Sequence, residues 1–99
     1  MDTFLIPGTV QIRPPRYEDE RQQPYDPERV EAILWPAEGD SEDTQAFIYG
    51  PDPEIVRVDR GDYMISFEPT SPGVWHLRVD TERGAWTTYF YAKPAQSPV

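Results

Sequence analysis

The sequence contains no cysteine and only one histidine among its 99 residues. Without cysteine, a disulfide scaffold and any thiolate metal site are excluded. A metal site at the single histidine, His76, would need several carboxylates to converge on it. His76 alternates out of phase with Trp75 and Leu77, which favours a solvent-facing position on a strand. We therefore expect no metal and no cofactor.

Basic residues are scarce as well. The chain has nine lysines and arginines against 18 aspartates and glutamates, which gives a formal net charge of -9. A surface that binds nucleic acid needs clustered basic side chains to neutralise phosphates. We therefore expect no direct nucleic-acid partner, and we attribute the acidity to solubility.

Long hydrophobic runs are also missing. The first seven residues have no basic start and only Phe4, Leu5 and Ile6 as a short apolar stretch. We expect this segment to be neither a signal peptide nor a membrane span. We therefore expect no membrane partner.

No group of residues predicts catalysis. Ser41, Ser66 and Ser71 lack the glycine-flanked nucleophile elbow, and a single histidine would have to serve any of them. No glycine-rich loop fits a phosphate. The acidic loops 18–20 and 40–43 lack the ligand spacing of an EF-hand, which disfavours calcium. We predict that the protein is not an enzyme.

Two alternating runs are the most informative feature that the sequence does contain. Tyr63, Ile65 and Phe67 alternate with polar or smaller residues, and Trp75, Leu77 and Val79 do the same. Strict alternation is the period of a strand with one buried face. The segment 69–73 between the runs contains Pro69, Pro72 and Gly73, which favour a turn. This pattern predicts two strands at the centre of a β-sandwich.

Further short strands are predicted along the chain, at 8–13, 45–49, 55–58 and 85–92. The segment 26–36 is ambiguous, because Asp26 and Pro27 could begin a helix. Alternation of Val30, Ala32 and Leu34 favours a strand there instead. About seven short strands separated by turns are typical of an all-β sandwich or barrel.

The domain organisation follows from these elements. We predict an N-terminal arm at 1–7, one sandwich at 8–92 and a C-terminal tail at 93–99. The charged segment 16–24 has no core-forming run, and we expect it to be a mobile connection.

A series of turn, apolar and aromatic residues recurs along the chain at characteristic positions: Pro24, Asp26, Pro27, Val30, Ala32, Leu34, Pro36, Gly39, Gly61, Tyr63, Phe67, Gly73, Trp75 and Phe90. Their spacing resembles that of small immunoglobulin-like domains in virion proteins of tailed bacteriophages. The resemblance covers residues 8–92 and implies a single immunoglobulin-like antiparallel β-sandwich with extended termini. The chain departs from the pattern at Pro14–Pro15 and in the charged loop 16–23.

The resemblance also implies a function. It points to a non-enzymatic structural component of a virion, located at the head–tail connector (neck) or on the capsid surface as a decoration protein. The implied partners are portal, connector, capsid or tail subunits, and further copies of the chain in a homo-oligomeric ring or lattice. The implied location is the virion, which is assembled in the host cytoplasm.

Candidate partner-binding residues lie in three places. The arm offers Phe4, Leu5 and Ile6, which would add to a neighbour's sheet edge or groove together with the tail 94–99. The charged connection offers Tyr17. The last strand offers Trp86, Tyr89 and Tyr91, which in an alternative hypothesis form the aromatic platform of a carbohydrate-binding or adhesion-type module.

Overall fold

The computed structural model describes residues 2–38 and 41–94, and this part of the chain is all-β, as predicted. It forms eight strands where about seven were expected, because the predicted arm supplies one. A single 3-10 turn spans Ser41–Asp43. The strands are β1 (Asp2–Ile6), β2 (Val10–Ile12), β3 (Glu31–Pro36), β4 (Gln45–Ile48), β5 (Ile55–Asp59), β6 (Asp62–Phe67), β7 (Gly73–Thr81) and β8 (Gly84–Pro94).

The strands form two sheets. The larger sheet has the order β1-β8-β7-β3-β4 and the smaller has the order β2-β6-β5. Neighbouring strands are antiparallel, except that β1 runs parallel to β8. If β2 and β3 are equated with strands B and C of an immunoglobulin domain, the sheets contain its B-E-D and G-F-C orders. The fold is therefore an immunoglobulin-like β-sandwich.

The core lies between the two sheets and is built from the predicted alternation. Tyr63, Ile65 and Phe67 of β6 are all buried and face the buried side of β7. Phe67 meets Trp75 across the sheets, with ring centroids 5.0 Å apart. The indole N–H of Trp75 donates to the carbonyl of Ser71 at 2.9 Å, so this buried donor is satisfied. The central pair of strands is thus confirmed.

The ambiguous segment 26–36 contains a strand and no helix. Ala32 and Leu34 of β3 are fully buried, and they lie opposite Val79 and Leu77 of β7. Pairing with strands on both sides satisfies the backbone of β3, whereas a short isolated helix would be marginal. The strand prediction is confirmed.

The predicted arm is part of the sandwich, as an edge strand of the larger sheet. Residues 2–6 form β1, and its side chains at Phe4 and Ile6 pack against the core. The Phe4 and Phe90 rings meet edge to face at 5.6 Å. The two inward side chains remove apolar surface from water, which favours this position over an extended arm.

The segment 16–24, expected to be mobile, is tied to one end of the sandwich. The N–H of Tyr17 donates to the carbonyl of Gly61 at 2.8 Å, and the N–H of Tyr25 donates to the carbonyl of Tyr17 at 3.1 Å. A carboxylate oxygen of Asp19 accepts the N–H groups of Arg21 and Gln23 at 2.8 and 3.0 Å. These contacts satisfy the backbone without a regular strand.

Several predictions lie outside the described residues: the tail from residue 95 onward, Met1, and Gly39 and Asp40 of the acidic loop. Within the described ranges, no helix is long and apolar enough to cross a membrane.

Candidate interaction surface

One row of aromatic side chains crosses the larger sheet on the side that faces away from the smaller sheet, here called the outer face. Strand register places Trp35 of β3 beside His76 of β7, and His76 beside Tyr89 of β8. The rings of Trp35 and His76 stack at 5.3 Å with planes 21° apart. Those of His76 and Tyr89 lie 6.3 Å apart. We call these three residues the aromatic row.

Further exposed apolar side chains lie on the same face as the aromatic row, with Leu5 beside Lys93 and Ile48 beside Glu31 at its corners. Tyr89 is 52% exposed and Leu5 is 59% exposed, and Ile48 and Tyr91 are exposed as well. Strand parity places all of them on the outer face, since their register partners lie there too. Single exposed apolar residues are ordinary, whereas several on one face of a small protein favour an interaction surface.

The outer face is electrically balanced although the chain is strongly acidic. Its strand positions carry two acidic residues, Glu31 and Asp80, and two basic residues, Arg78 and Lys93, so their charges sum to zero. Arg78 pairs with Asp80 at 2.7 Å, and Arg29 pairs with Glu31 at 2.7 Å. The net charge of -9 therefore resides elsewhere on the molecule. A neutral apolar face can meet another acidic protein without strong repulsion.

A different cluster closes one end of the sandwich. One carboxylate oxygen of Asp26 accepts the N–H of Gly61 at 2.9 Å and the hydroxyl of Tyr63 at 3.2 Å. The Nε of Arg57 lies 3.1 Å from both carboxylate oxygens. We call Asp26, Arg57, Gly61 and Tyr63 the Asp26 lock. It joins the segment before β3 to strands β5 and β6.

The electrostatics of the Asp26 lock follow from these bonds. The hydrogen bond from Arg57, followed by that from Gly61, lowers the pKa of Asp26 to about 2. Burial, followed by the charge of Asp26, raises the pKa of Tyr63 to about 12. The carboxylate is therefore ionised and the phenol is protonated throughout the physiological range, so neither group exchanges protons there. The lock serves the fold.

Within residues 2–38 and 41–94, no three histidine, aspartate or glutamate side chains are grouped to hold a metal ion. The Asp52 carboxylate accepts the N–H of Ile48 at 2.7 Å, and the N–H of Asp52 donates to the carbonyl of Ile48 at 3.1 Å. Asp52 thereby caps both backbone groups of Ile48 on the open side of β4.

The structure divides the predicted partner-binding residues among three locations. Leu5, Tyr89 and Tyr91 lie on the outer face. Phe4 and Ile6 point into the sandwich. The other two, Tyr17 and Trp86, lie together in a cleft of about 210 Å³ beside Tyr25 and Arg83. The guanidinium of Arg83 lies 4.5 Å from the centre of the Tyr25 ring.

The proposed platform of Trp86, Tyr89 and Tyr91 is therefore not one surface. Trp86 shares the inward parity of Phe90 and packs against the core, whereas Tyr89 and Tyr91 face outward. From the sequence, Trp35 is one of several aromatic residues that either fill the core or face away from it, and His76 is expected to face solvent; the stacking of the two rings is not predicted. Their contact depends on the register between β3 and β7, and no local pattern encodes that register.

Comparison with known proteins adds the fold alone. No protein-family model matches the chain, and no curated protein matches it. Among solved structures, the chain is similar to one named a "putative glycoside hydrolase" from Bacteroides vulgatus, with a TM-score of 0.64 and 14% sequence identity. The match covers 98% of this chain but only 17% of that protein. At this identity, the likeness establishes a shared fold.

Proposed function

We propose that the chain is a non-enzymatic structural subunit whose outer face binds a second copy of the same chain. The observation that carries this proposal is the apolar, charge-balanced outer face on a molecule with a net charge of -9. In the context that the family resemblance implies, the copies form a ring or lattice in a tailed-phage virion, at the neck or on the capsid surface.

The side chains on the outer face suit a protein contact. Tyr89 and Tyr91 present large apolar rings with polar tips, and such residues supply much of the binding free energy at protein interfaces. Their positions on rigid strands mean that little conformational entropy is lost on binding. The ion pairs at Glu31 and Asp80 keep acidic charge away from the centre of the contact.

A second copy is the occupant that charge favours. Two copies of an acidic protein repel one another at most approaches, since their net charges have the same sign. The outer face is a place where this repulsion is weak, because its strand charges sum to zero. Symmetric association through a shared surface is also the usual route to homo-oligomers.

The carbohydrate-binding alternative is less well supported by this geometry. A sugar platform needs aromatic faces open to solvent, but Trp35 and His76 stack on each other and cover one face of each ring. Trp86 belongs to the opposite side of its strand. The name of the Bacteroides protein concerns a chain about six times longer, of which this fold is a small part.

The proposal is tested by sedimentation equilibrium over a range of concentrations with a matched pair of variants. Tyr89→Ser removes an exposed ring from the outer face, and Val58→Ser removes an exposed apolar side chain from the smaller sheet. We expect the native chain to associate, Tyr89→Ser to weaken association by about tenfold or more, and Val58→Ser to leave it unchanged; a truncated hot spot costs more than about 1.4 kcal/mol, which is tenfold.

Binding to purified portal, connector and capsid proteins and to glycan arrays completes the test. We expect the native chain to bind a virion component and the Tyr89→Ser variant to bind it less well. A chain that remains monomeric at all concentrations, ignores the virion proteins and binds a sugar would overturn the proposal in favour of the alternative.

A further inference from the structure

Strand β1 could leave the sandwich without breaking an interior pairing, and only one of its ends is joined to another described strand. It is the first element of the chain, it lies at the edge of the larger sheet, and it pairs only with β8. The pairing runs in parallel from Asp2 opposite Phe90 to Ile6 opposite Pro94. Strand β1 is therefore held by strand pairing along one of its two edges.

The contacts of β1 do not depend on which copy supplies it. Phe4 packs on Phe90, and Ile6 packs on the same core, so the strand binds surfaces made by the rest of the sandwich. An identical strand from a second copy would make the same backbone and side-chain contacts. Exchange of an identical element is a low-cost route to dimers for this reason.

The connection between β1 and β2 can serve as a hinge. Pro7, Gly8 and Thr9 are all exposed, so the connection can straighten without uncovering the core. In the closed turn, a Cβ at Gly8 would lie 3.0 Å from the carbonyl oxygen of Leu5. That separation is tighter than an ordinary contact, and it exists only while the chain doubles back after β1.

The opposite edge of the larger sheet does not offer the same opportunity. There, Asp52 occupies the N–H and carbonyl of Ile48, which blunts β4 as a template for another strand. If β1 departs, the exposed side of β8 becomes the long unprotected edge of the sheet, beside an apolar groove that includes Phe90.

We propose that β1 exchanges between copies, so that the first strand of one copy pairs with β8 of its neighbour. The inference deepens the proposed function and rests on it, because that function brings copies of the chain together. It gives the apolar residues Phe4 and Ile6 a role in assembly while they remain buried. It also links neighbours by backbone hydrogen bonds in addition to the outer-face contact.

Engineered cysteines provide the test, since the native chain has none. Leu5 and Lys93 are register partners and both are exposed, so cysteines there would lie within disulfide range. One population carries Leu5→Cys and a second, tagged population carries Lys93→Cys. The two are unfolded in denaturant, mixed, refolded together at high concentration and oxidised. The control pairs Leu5→Cys with Ile48→Cys, an exposed position on the same outer face but at the opposite edge of the sheet, so that an outer-face contact without strand exchange does not favour the 5–93 pair over it.

We expect the disulfide between Cys-substituted positions 5 and 93 to form about tenfold or more above the control, because a docked strand holds its thiol at an effective millimolar concentration. A yield equal to the control would overturn strand exchange. If the chains still associate through the outer face in that case, the proposed function is retained without strand exchange. If the disulfide forms while Tyr89→Ser leaves association unchanged, exchange stands and the outer-face contact is wrong.

A hinge variant gives a second, independent readout. Gly8→Ala crowds the carbonyl of Leu5 only in the closed turn, so it should shift the equilibrium toward exchange and raise the yield of the disulfide between the two populations. An unchanged or lower yield with Gly8→Ala would contradict the hinge.

Discussion

The Asp26 lock and the outer face both gather aromatic residues, but they are built in opposite ways. In the lock, Tyr63 is buried and its hydroxyl is bonded to a carboxylate, and Tyr17 packs against it with ring centroids 6.1 Å apart. On the outer face, Tyr89 is half exposed beside His76. We infer that the first cluster stabilises the fold and that the second is available for binding.

Aromatic content alone therefore does not locate a binding surface in this chain. Aromatic residues occur both at the Asp26 lock and on the outer face. Their burial and their polar partners in the fold determine their roles. Substitutions in the lock should therefore change stability and spare association. Substitutions on the outer face should do the reverse.

Gly61→Ala should produce the largest loss of stability. Gly61 has φ of +73°, and a Cβ there would lie 2.6 Å from the carbonyl oxygen of Tyr17. Left-handed backbone and a clash with main chain together should lower the free energy of unfolding by about 2–4 kcal/mol. Urea denaturation measures the change.

The matched control for this substitution is Gly50→Ala. Gly50 also has positive φ, at +111°, but nothing lies within 4 Å of a Cβ built there. It should therefore lose only the backbone contribution, about 1–2 kcal/mol. Equal losses at the two glycines would mean that the approach of Tyr17 to Gly61 is unimportant.

The lock should also govern stability in acid. Because the folded-state pKa of Asp26 is lowered to about 2 from an ordinary value of 3.8, its ionised form stabilises the fold. This contribution is fully present above about pH 4 and is lost as the pH falls through about 2. Asp26→Asn should therefore flatten the decline in stability between these values.

Urea titrations at a series of pH values measure this dependence. Asp59→Asn makes the same charge change at an exposed residue whose carboxylate, among the described residues, accepts the N–H of its neighbour Arg60, and it serves as the control. An acid profile of Asp26→Asn that parallels the native profile would show that the carboxylate does not stabilise the fold.

A pair of hydroxyl deletions should produce a smaller effect of contrasting sign. Tyr63→Phe removes a hydrogen bond to Asp26 and should cost about 1 kcal/mol. Tyr17→Phe removes a buried hydroxyl that has no hydrogen-bond partner among the described residues, so it should be neutral or stabilising. Thermal or urea unfolding compares the two. A loss at Tyr17 as large as that at Tyr63 would show that the Tyr17 hydroxyl is satisfied in solution.

The fold was largely predictable because its main signal is local. Alternation in β6 and β7 has the period of a half-buried strand, and the turn residues between them are explicit in the sequence. Strand β1 escaped prediction because its apolar run is short and its partner, β8, lies at the other end of the chain. The parallel pairing adds no turn signal, since such strands are not joined by a hairpin.

The site was less predictable because its contacts are non-local. Asp26 bonds residues 35 and 37 positions away, and the aromatic row needs the register of three strands. Parity separates Tyr89 and Tyr91 from Trp86 on β8, although the predicted platform combined all three. It could not determine which side faces the second sheet, because that depends on how the sheets pack.

One variant, Tyr89→Ser, tests the assignment of the outer face through both stability and association. Because Tyr89 is 52% exposed, we expect a change in the free energy of unfolding of no more than about 0.5 kcal/mol. In sedimentation equilibrium, the same variant should associate about tenfold or more weakly than the native chain. If Tyr89→Ser associates as strongly as the native chain, the assignment of the outer face as the binding surface is contradicted. A loss of stability large enough to explain weaker association would contradict it as well.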